Sequence, residues 1–318
     1  MGAGTGVASQ FAALLATYNY NPRKHSMFNG FQTFDLDVGD GIVIHGRKGG
    51  EGPPLLLLHG HPQTHVIWHR VAEQLAQGYT VVATDLRGYG DSSKPPGLPD
   101  HSNYAKRAMA QDQIAVMRHF GFDDFFLCSH DRGARVAHRL AMDHPGVVRK
   151  LMLLDIAPTL AMYEQTDRRM ATMYFHWFFL IQPAPMPETL IEASPAGYIT
   201  RTMGGRHAKL DVFDPAAIAE YQRCLALPGA AHSLCEDYRA ANTIDLEHEQ
   251  ADRDAGRRIQ CPTRVLWGQH GVIQRCFDAL KEWTPLTTTL DGGPLPCGHY
   301  IPEEAPDLLL QHITEFMK

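Results

Sequence analysis

The chain has 318 residues with 35 acidic and 29 basic side chains, a formal charge of −6. That length suits one large domain or two small ones and is ample for a buried core. No apolar run approaches the roughly 18 residues of a membrane span, and mild acidity without a Lys/Arg block argues against a nucleic-acid partner.

The mildly apolar stretch Phe11 to Ala16 has no basic residue before it, unlike a secretory signal, and Gly6 stands where a myristoylation signal after Gly2 needs Ser or Thr. Residues 31–47 alternate enough (Phe34, Leu36, Val38, then Ile42, Val43, Ile44) to predict a hairpin turning at Gly39-Asp40-Gly41. Leu55 to Leu58 reads as a strand buried on both faces, followed by a helical stretch from Val66 to Gln77. A second buried strand, Thr80 to Thr84, leads to Asp85. Then come a helix from Tyr104 to Phe120, a strand from Phe125 to Cys128, a helix from Ala134 to Met142 and a strand from Leu151 to Leu154. Val265 to Trp267 is a further strand. Strands alternating with helices imply an α/β fold with a mostly parallel sheet flanked by helices.

Between Ala157 and about Asn242 the alternation fails, and aromatic residues and prolines dominate. A helical insertion at the carboxyl ends of the strands, where open α/β sheets bind ligands, fits this best. The expected organisation is a core first part over 1–158, a helical cap over 159–242 and a core second part over 243–318.

Cysteines 128, 224, 235, 261, 276 and 297 are scattered without a CxxC pair, as expected of reduced thiols in a cytoplasmic protein. Four of the 18 histidines, His59, His61, His65 and His69, come close together. No Asp, Glu or Cys accompanies them between Leu55 and Val71, so no metal site is expected.

The segment Ser129-His130-Asp131-Arg132-Gly133 joins a strand to a helix, with small residues two before and two after Asp131. That is the pattern of a nucleophile elbow, with aspartate where serine is usual. A carboxylate nucleophile attacks a saturated carbon and leaves an alkyl ester. His299, before the C-terminal helix, suits the general base. No carboxylate follows the strand at Val265–Trp267 until Asp278, so Asp155 in Leu154-Asp155-Ile156 is the orienting acid by elimination. The backbone N–H near His61, in His59-Gly60-His61-Pro62-Gln63, can form an oxyanion hole with that of Arg132. Arg132 and Arg135, spaced i, i+3 at a helix start, predict a small anionic substrate; ion pairs with carboxylates of the insertion are the structural alternative.

These residues resemble the fluoroacetate dehalogenases (haloacetate dehalogenases) of the α/β-hydrolase superfamily, over most of the chain from about Phe31 onward. The resemblance lies in His59-Gly60-His61-Pro62-Gln63, Asp85-Leu86-Arg87-Gly88-Tyr89-Gly90, His130-Asp131-Arg132-Gly133-Ala134-Arg135, Phe175-His176-Trp177-Phe178-Phe179 and Gly298-His299-Tyr300. It implies an α/β-hydrolase fold, hydrolysis of fluoroacetate to glycolate and fluoride, no cofactor and a homodimer. It also implies that Arg132 and Arg135 bind the substrate carboxylate, and that His176, Trp177 and Tyr238 donate to the departing halide. Two departures stand out: His61 where the family commonly has Phe, and Ser129 where Gly is usual. Two other readings remain open. One is an epoxide hydrolase using cap tyrosines among Tyr174, Tyr198 and Tyr238. The other is a non-catalytic ligand-binding homologue.

Overall fold

Four consecutive leucines at the centre of the sheet set the layering of the fold. In the computed structural model residues 27–318 are described, so the Gly2–Gly6 and Phe11–Ala16 features lie outside the described residues. The strands are β1 (Gln32–Asp37), β2 (Val43–Gly49), β3 (Pro54–Leu58), β4 (Thr80–Thr84), β5 (Phe125–His130), β6 (Val148–Leu154), β7 (Thr263–Gly268) and β8 (Leu290–Leu295). Side chains alternate between faces along a strand. Leu56, Leu58, Val82 and Leu127 therefore join one hydrophobic cluster, while Leu55, Leu57, Val81 and Phe126 join the other. Each fully buried leucine contributes about 1.5–3 kcal/mol, and β3 to β5 are buried throughout.

The eight strands run in the order β1-β2-β4-β3-β5-β6-β7-β8. From β4 to β8 all neighbours are parallel, whereas β1 and β2 form an antiparallel hairpin at one edge. Its turn falls where predicted, with Gly39, Asp40 and Gly41 all at positive φ. Helices Lys106–His119 and Asp131–Asp143 cover one face, and Ala72–Leu75 and Pro306–Phe316 the other.

Between β6 and β7 run eight helices, from Thr159–Glu164 to Ile244–Asp254. Their Met162, Met170, Trp177, Tyr221 and Tyr238 belong to the same cluster as Val136 and Leu140 of helix Asp131–Asp143. The insertion therefore shares the core of that face rather than building a second one. Its weight rests on the carboxyl edge of the sheet.

Two elements differ from expectation. The stretch from Val66 to Gln77 is not one helix but a tight 3₁₀ turn (His65–Trp68) followed by a short α-helix (Ala72–Leu75). Val71 breaks the run at φ −120°, and Arg70 is drawn out to the carbonyls of Glu303 and Val212. The strand β8 carries no apolar alternation because Gly292-Gly293-Pro294 occupies its middle.

Gly133 sits where helix Asp131–Asp143 meets β3: a Cβ there would lie 2.3 Å from the His59 carbonyl oxygen and 2.7 Å from Leu58 Cβ. Gly293 faces open space. Gly133→Ala is expected to cost about 1–3 kcal/mol by overpacking, and Gly293→Ala to stay within about 0.5 kcal/mol. Urea unfolding midpoints check this. Equal midpoints for the two variants would contradict the packing account.

Candidate active site

At the end of β5 the chain turns sharply enough to put Asp131 in the left-handed region, at φ +46°. Asp155, one strand over at the end of β6, is left-handed too, at φ +53°. Non-glycine residues seldom adopt that region, and strain of this kind concentrates at functional sites. Both carboxylates thus project from the carboxyl edge beneath the insertion.

Gly60 makes room for the first of them. A Cβ at Gly60 would stand 2.4 Å from Asp131 Cβ and 2.8 Å from the Arg132 backbone nitrogen. With glycine there, the His61 N–H donates to Asp131 Oδ1 at 2.8 Å. His299 Nε2 lies 3.9 Å from the other oxygen, Oδ2. On its far side His299 Nδ1 is 2.5 Å from Asp155 Oδ2, and the Gly268 N–H donates to Asp155 Oδ1 at 2.9 Å. Asp131, His299 and Asp155 thus form the constellation expected from sequence, with Asp131 only 5% exposed. His130 Nε2 donates to the His299 carbonyl at 2.7 Å and fixes that loop against the elbow.

The charge states follow from burial and neighbours. Burial opposes ionisation of Asp131, but His299, His130, Arg132 and Arg135 outweigh it and hold the carboxyl well below the usual range. Burial, then Arg206, pushes His299 down to about 3, so it stands as a neutral imidazole. Burial raises Asp155 to about 7 against the opposing Gly268 N–H. Burial, then the Asp131 charge, raises Tyr238 well above its ordinary value, so its O–H keeps its proton.

The two arginines are less free than their spacing suggests. Arg132 Nε and Nη2 grip the Asp237 carboxylate of the insertion at 2.8 and 2.9 Å, and its guanidinium lies 4.1 Å from the Tyr238 ring centroid. Lys106 pairs with the same carboxylate, and Tyr89 Oη donates to it at 2.6 Å. Burial opposes the charge on Asp237, but Arg132 and Lys106 hold it well below the usual range. Arg135 Nη1 donates to the Ala157 carbonyl and to Thr159 Oγ1, and its guanidinium lies 4.8 Å from the Trp177 ring. Each arginine nevertheless keeps one buried nitrogen without a partner: Nη1 of Arg132 and Nε of Arg135.

The aromatic residues close the pocket. His176 and Trp177, on helix Phe175–Leu180, lie 5.9 and 6.3 Å from Tyr238, ring to ring. His61 stacks on His176 at 5.5 Å and 9°, and its Nε2 meets Tyr198 Oη at 3.2 Å. Tyr238 Oη and His61 Nδ1 are also buried without partners. Burial pushes His61 down to about 3, leaving it neutral. Asp131, His299, Asp155, His61, Arg132, Arg135, His176, Trp177 and Tyr238 come to this one place.

The other three histidines of the early cluster turn elsewhere: His59 Nε2 accepts from the Leu86 N–H, His65 Nδ1 bonds Asp85, and His69 Nδ1 donates to the Val66 carbonyl. Potential ligand atoms of His45, His65 and Asp85 do lie within 4.8 Å of one another. Asp85, however, already accepts from the His65 and Asp91 N–H groups.

The chain matches the α/β-hydrolase fold family over residues 53–306. It is 47% identical to a fluoroacetate dehalogenase from Burkholderia over 292 residues, 92% of this chain and 95% of that one. The chain belongs to the haloacetate dehalogenase family of α/β-hydrolases. Within the same superfamily it is 32% identical to a soluble epoxide hydrolase from Corynebacterium, covering 87% of this chain and 94% of that one. A crystal structure of an α/β-hydrolase from Nostoc superposes with a TM-score of 0.89 at 52% identity, covering 92% and 99%.

Two site residues escaped the sequence reading. Asp237 neutralises Arg132 across 105 positions of chain, and only the need to balance a buried arginine could have pointed to it. Arg206 lies in a stretch without motif. Removing Asp237 leaves Arg132, wholly buried, without its counter-ion, and leaves Lys106 with Asp245 alone. Asp237→Ala is expected to destabilise by about 3–5 kcal/mol. Denaturant unfolding measures this, and a loss below about 1 kcal/mol would contradict a buried ion pair.

Proposed function

We propose that the protein hydrolyses haloacetates, converting fluoroacetate and water to glycolate and fluoride through an ester on Asp131. The observation that carries this is the set of unspent polar atoms around one ionised carboxylate: Arg132 Nη1, Arg135 Nε and Tyr238 Oη. Buried polar atoms are almost always partnered, so several unpartnered donors gathered around one carboxylate point to a ligand there. Two guanidinium nitrogens suit a carboxylate, and a protonated phenol suits a leaving anion. The name of the Burkholderia relative adds the halide.

In the first stage Arg132 and Arg135 bind the substrate carboxylate and offset its repulsion from Asp131. Asp131 Oδ2, the oxygen not held by the His61 N–H, attacks the α-carbon in line, and the halide departs with the bonding pair. His176, Trp177 and Tyr238 donate to it in a pocket that excludes water, where preorganised donors replace the hydration that fluoride loses. In the second stage the neutral His299 takes a proton from water, and the resulting hydroxide attacks the ester carbonyl carbon. The N–H groups of His61 and Arg132 hold the oxyanion. Asp155 orients the imidazole and stabilises its charge, which returns to the leaving glycolate as a proton. The chemistry needs no metal or organic cofactor, and the helical insertion serves as the cap that keeps the site dry.

An epoxide hydrolase would use the same acid, base and nucleophile with cap tyrosines. The arginine pair argues against it, since a neutral epoxide needs no such clamp. Tyr198 is moreover engaged with His61. A non-catalytic binding protein has no need of a strained nucleophile with base and acid in register. The reading also includes a cytoplasmic homodimer; six unpaired thiols fit the first, and exposed Phe175 and Leu190 on the insertion offer an apolar face for the second.

His299→Asn is expected to release about one halide per site and stop, with intact-protein mass raised by one carboxymethyl group on Asp131. Continued turnover would contradict the scheme. The two stages should also separate by pH. Asp155 and His299, 2.5 Å apart, titrate as one pair, and the raised Asp155 places the first proton the pair takes up near 7. Wherever in the pair that proton resides, His299 Nε2 then carries a hydrogen and cannot accept one from water. Steady-state turnover should therefore fall below about pH 7, nearly tenfold per unit, as the active deprotonated pair is lost. The halide burst of the His299→Asn variant should not follow that fall, because Arg132, Arg135 and the His61 N–H, which the variant keeps, still favour the ionised Asp131. A burst that falls in step with wild-type turnover would contradict this division.

A further inference from the structure

A cavity of about 470 Å³ opens between the insertion and the core and ends inside on His176 and His299. Its lining carries Arg201, Arg206 and Arg275 and no carboxylate, in a chain whose acidic residues outnumber its basic ones. Most other arginines near carboxylates are paired, as Arg87, Arg107, Arg132, Arg139, Arg223, Arg239 and Arg253 are. No ion pair to any of the three cavity arginines is found among the described residues. Arg206 is the innermost. Its guanidinium lies 5.0 Å from the Tyr174 ring and 5.8 Å from the Tyr300 ring. Those rings in turn lie 6.4 and 4.9 Å from the His299 ring. The cavity is bridged at its rim by His207 of the insertion stacked on His270 of the core, 4.1 Å apart.

The catalytic pocket itself is closed, and its own arginines are largely committed to Asp237, Ala157 and Thr159. An anionic substrate must reach it through a passage, and both products are anions that must leave. The geometry points to this cavity as an anion port, in which Arg201 and Arg275 collect a small carboxylate and Arg206 passes it inward past His299. The assignment rests on the haloacetate reading above and extends it to a specificity determinant: charge selection begins at the port, before the Arg132/Arg135 clamp. A low-dielectric cleft lined by one sign of charge raises the local concentration of its counter-ion.

The test is halide release from chloroacetate by wild type, Arg206→Gln, Arg206→Lys and the double variant Arg201→Gln/Arg275→Gln. The double variant alters only exposed residues and so keeps the fold. In Arg206→Gln and in the double variant kcat/KM should fall about tenfold and lose most of its salt dependence, and in the double variant kcat should change less than about threefold. Arg206→Lys should restore most of the loss. Unchanged kcat/KM and an unchanged salt slope in both variants would overturn the port. Should the wild type release no halide, the haloacetate reading fails separately, and calorimetric binding of acetate still decides the port. Binding about tenfold weaker in the double variant supports it; equal binding, or none to the wild type, overturns it.

Discussion

Keeping a carboxylate ionised away from water costs several kcal/mol unless hydrogen bonds and opposite charges replace its hydration. Asp131 is 5% exposed, and much of the surrounding structure can be understood as meeting that requirement. The elbow places it at φ +46° at the head of helix Asp131–Asp143, whose dipole favours negative charge there. Gly60 leaves the space that lets the His61 N–H reach Oδ1. Arg132 and Arg135, one and four residues on, bring positive charge from the same helical turn. The nucleophile is ionised because the fold surrounds it with donors and cations, and it is reactive because they leave Oδ2 uncapped.

Those cations create a second requirement, which the insertion meets. Arg132 is wholly buried, and its counter-ion Asp237 comes from helix Ala230–Ala241 of the insertion. The next residue on that helix is Tyr238, whose ring lies under the same guanidinium. This ion pair therefore helps to fix the insertion over the sheet, beside the shared core, and aims one of the pocket donors. Stability and chemistry are coupled at this point: loosening Asp237 would loosen both the closure of the site and the placement of Tyr238.

What could be read in the sequence was whatever depends on local pattern. The apolar run Leu55–Leu58 marks a doubly covered strand, and small residues around Asp131 mark a tight turn. The i, i+3 spacing of Arg132 and Arg135 places both on one face. What could not be read depends on distant contacts or on strands without pattern. The middle of β8 is Gly292-Gly293-Pro294, which looks like a loop and becomes a strand only by pairing with β7. Ile67, Trp68, Val71, Ala72 and Leu75 keep helical spacing, so periodicity could not register the break at Val71. The partner of Arg132 and the approach of Arg206 to His299 are set by how the insertion folds back. No local signal carries that.

The central claim is that Asp131, not water, makes the first bond to the substrate carbon. A single turnover with enzyme in excess over fluoroacetate, in water labelled with heavy oxygen, tests it most directly. Ester hydrolysis at the carbonyl carbon predicts that the label enters the Asp131 carboxylate, while the glycolate hydroxyl takes its oxygen unlabelled from the enzyme. Label in the glycolate on the first turnover, with none in the peptide containing Asp131, would contradict the account.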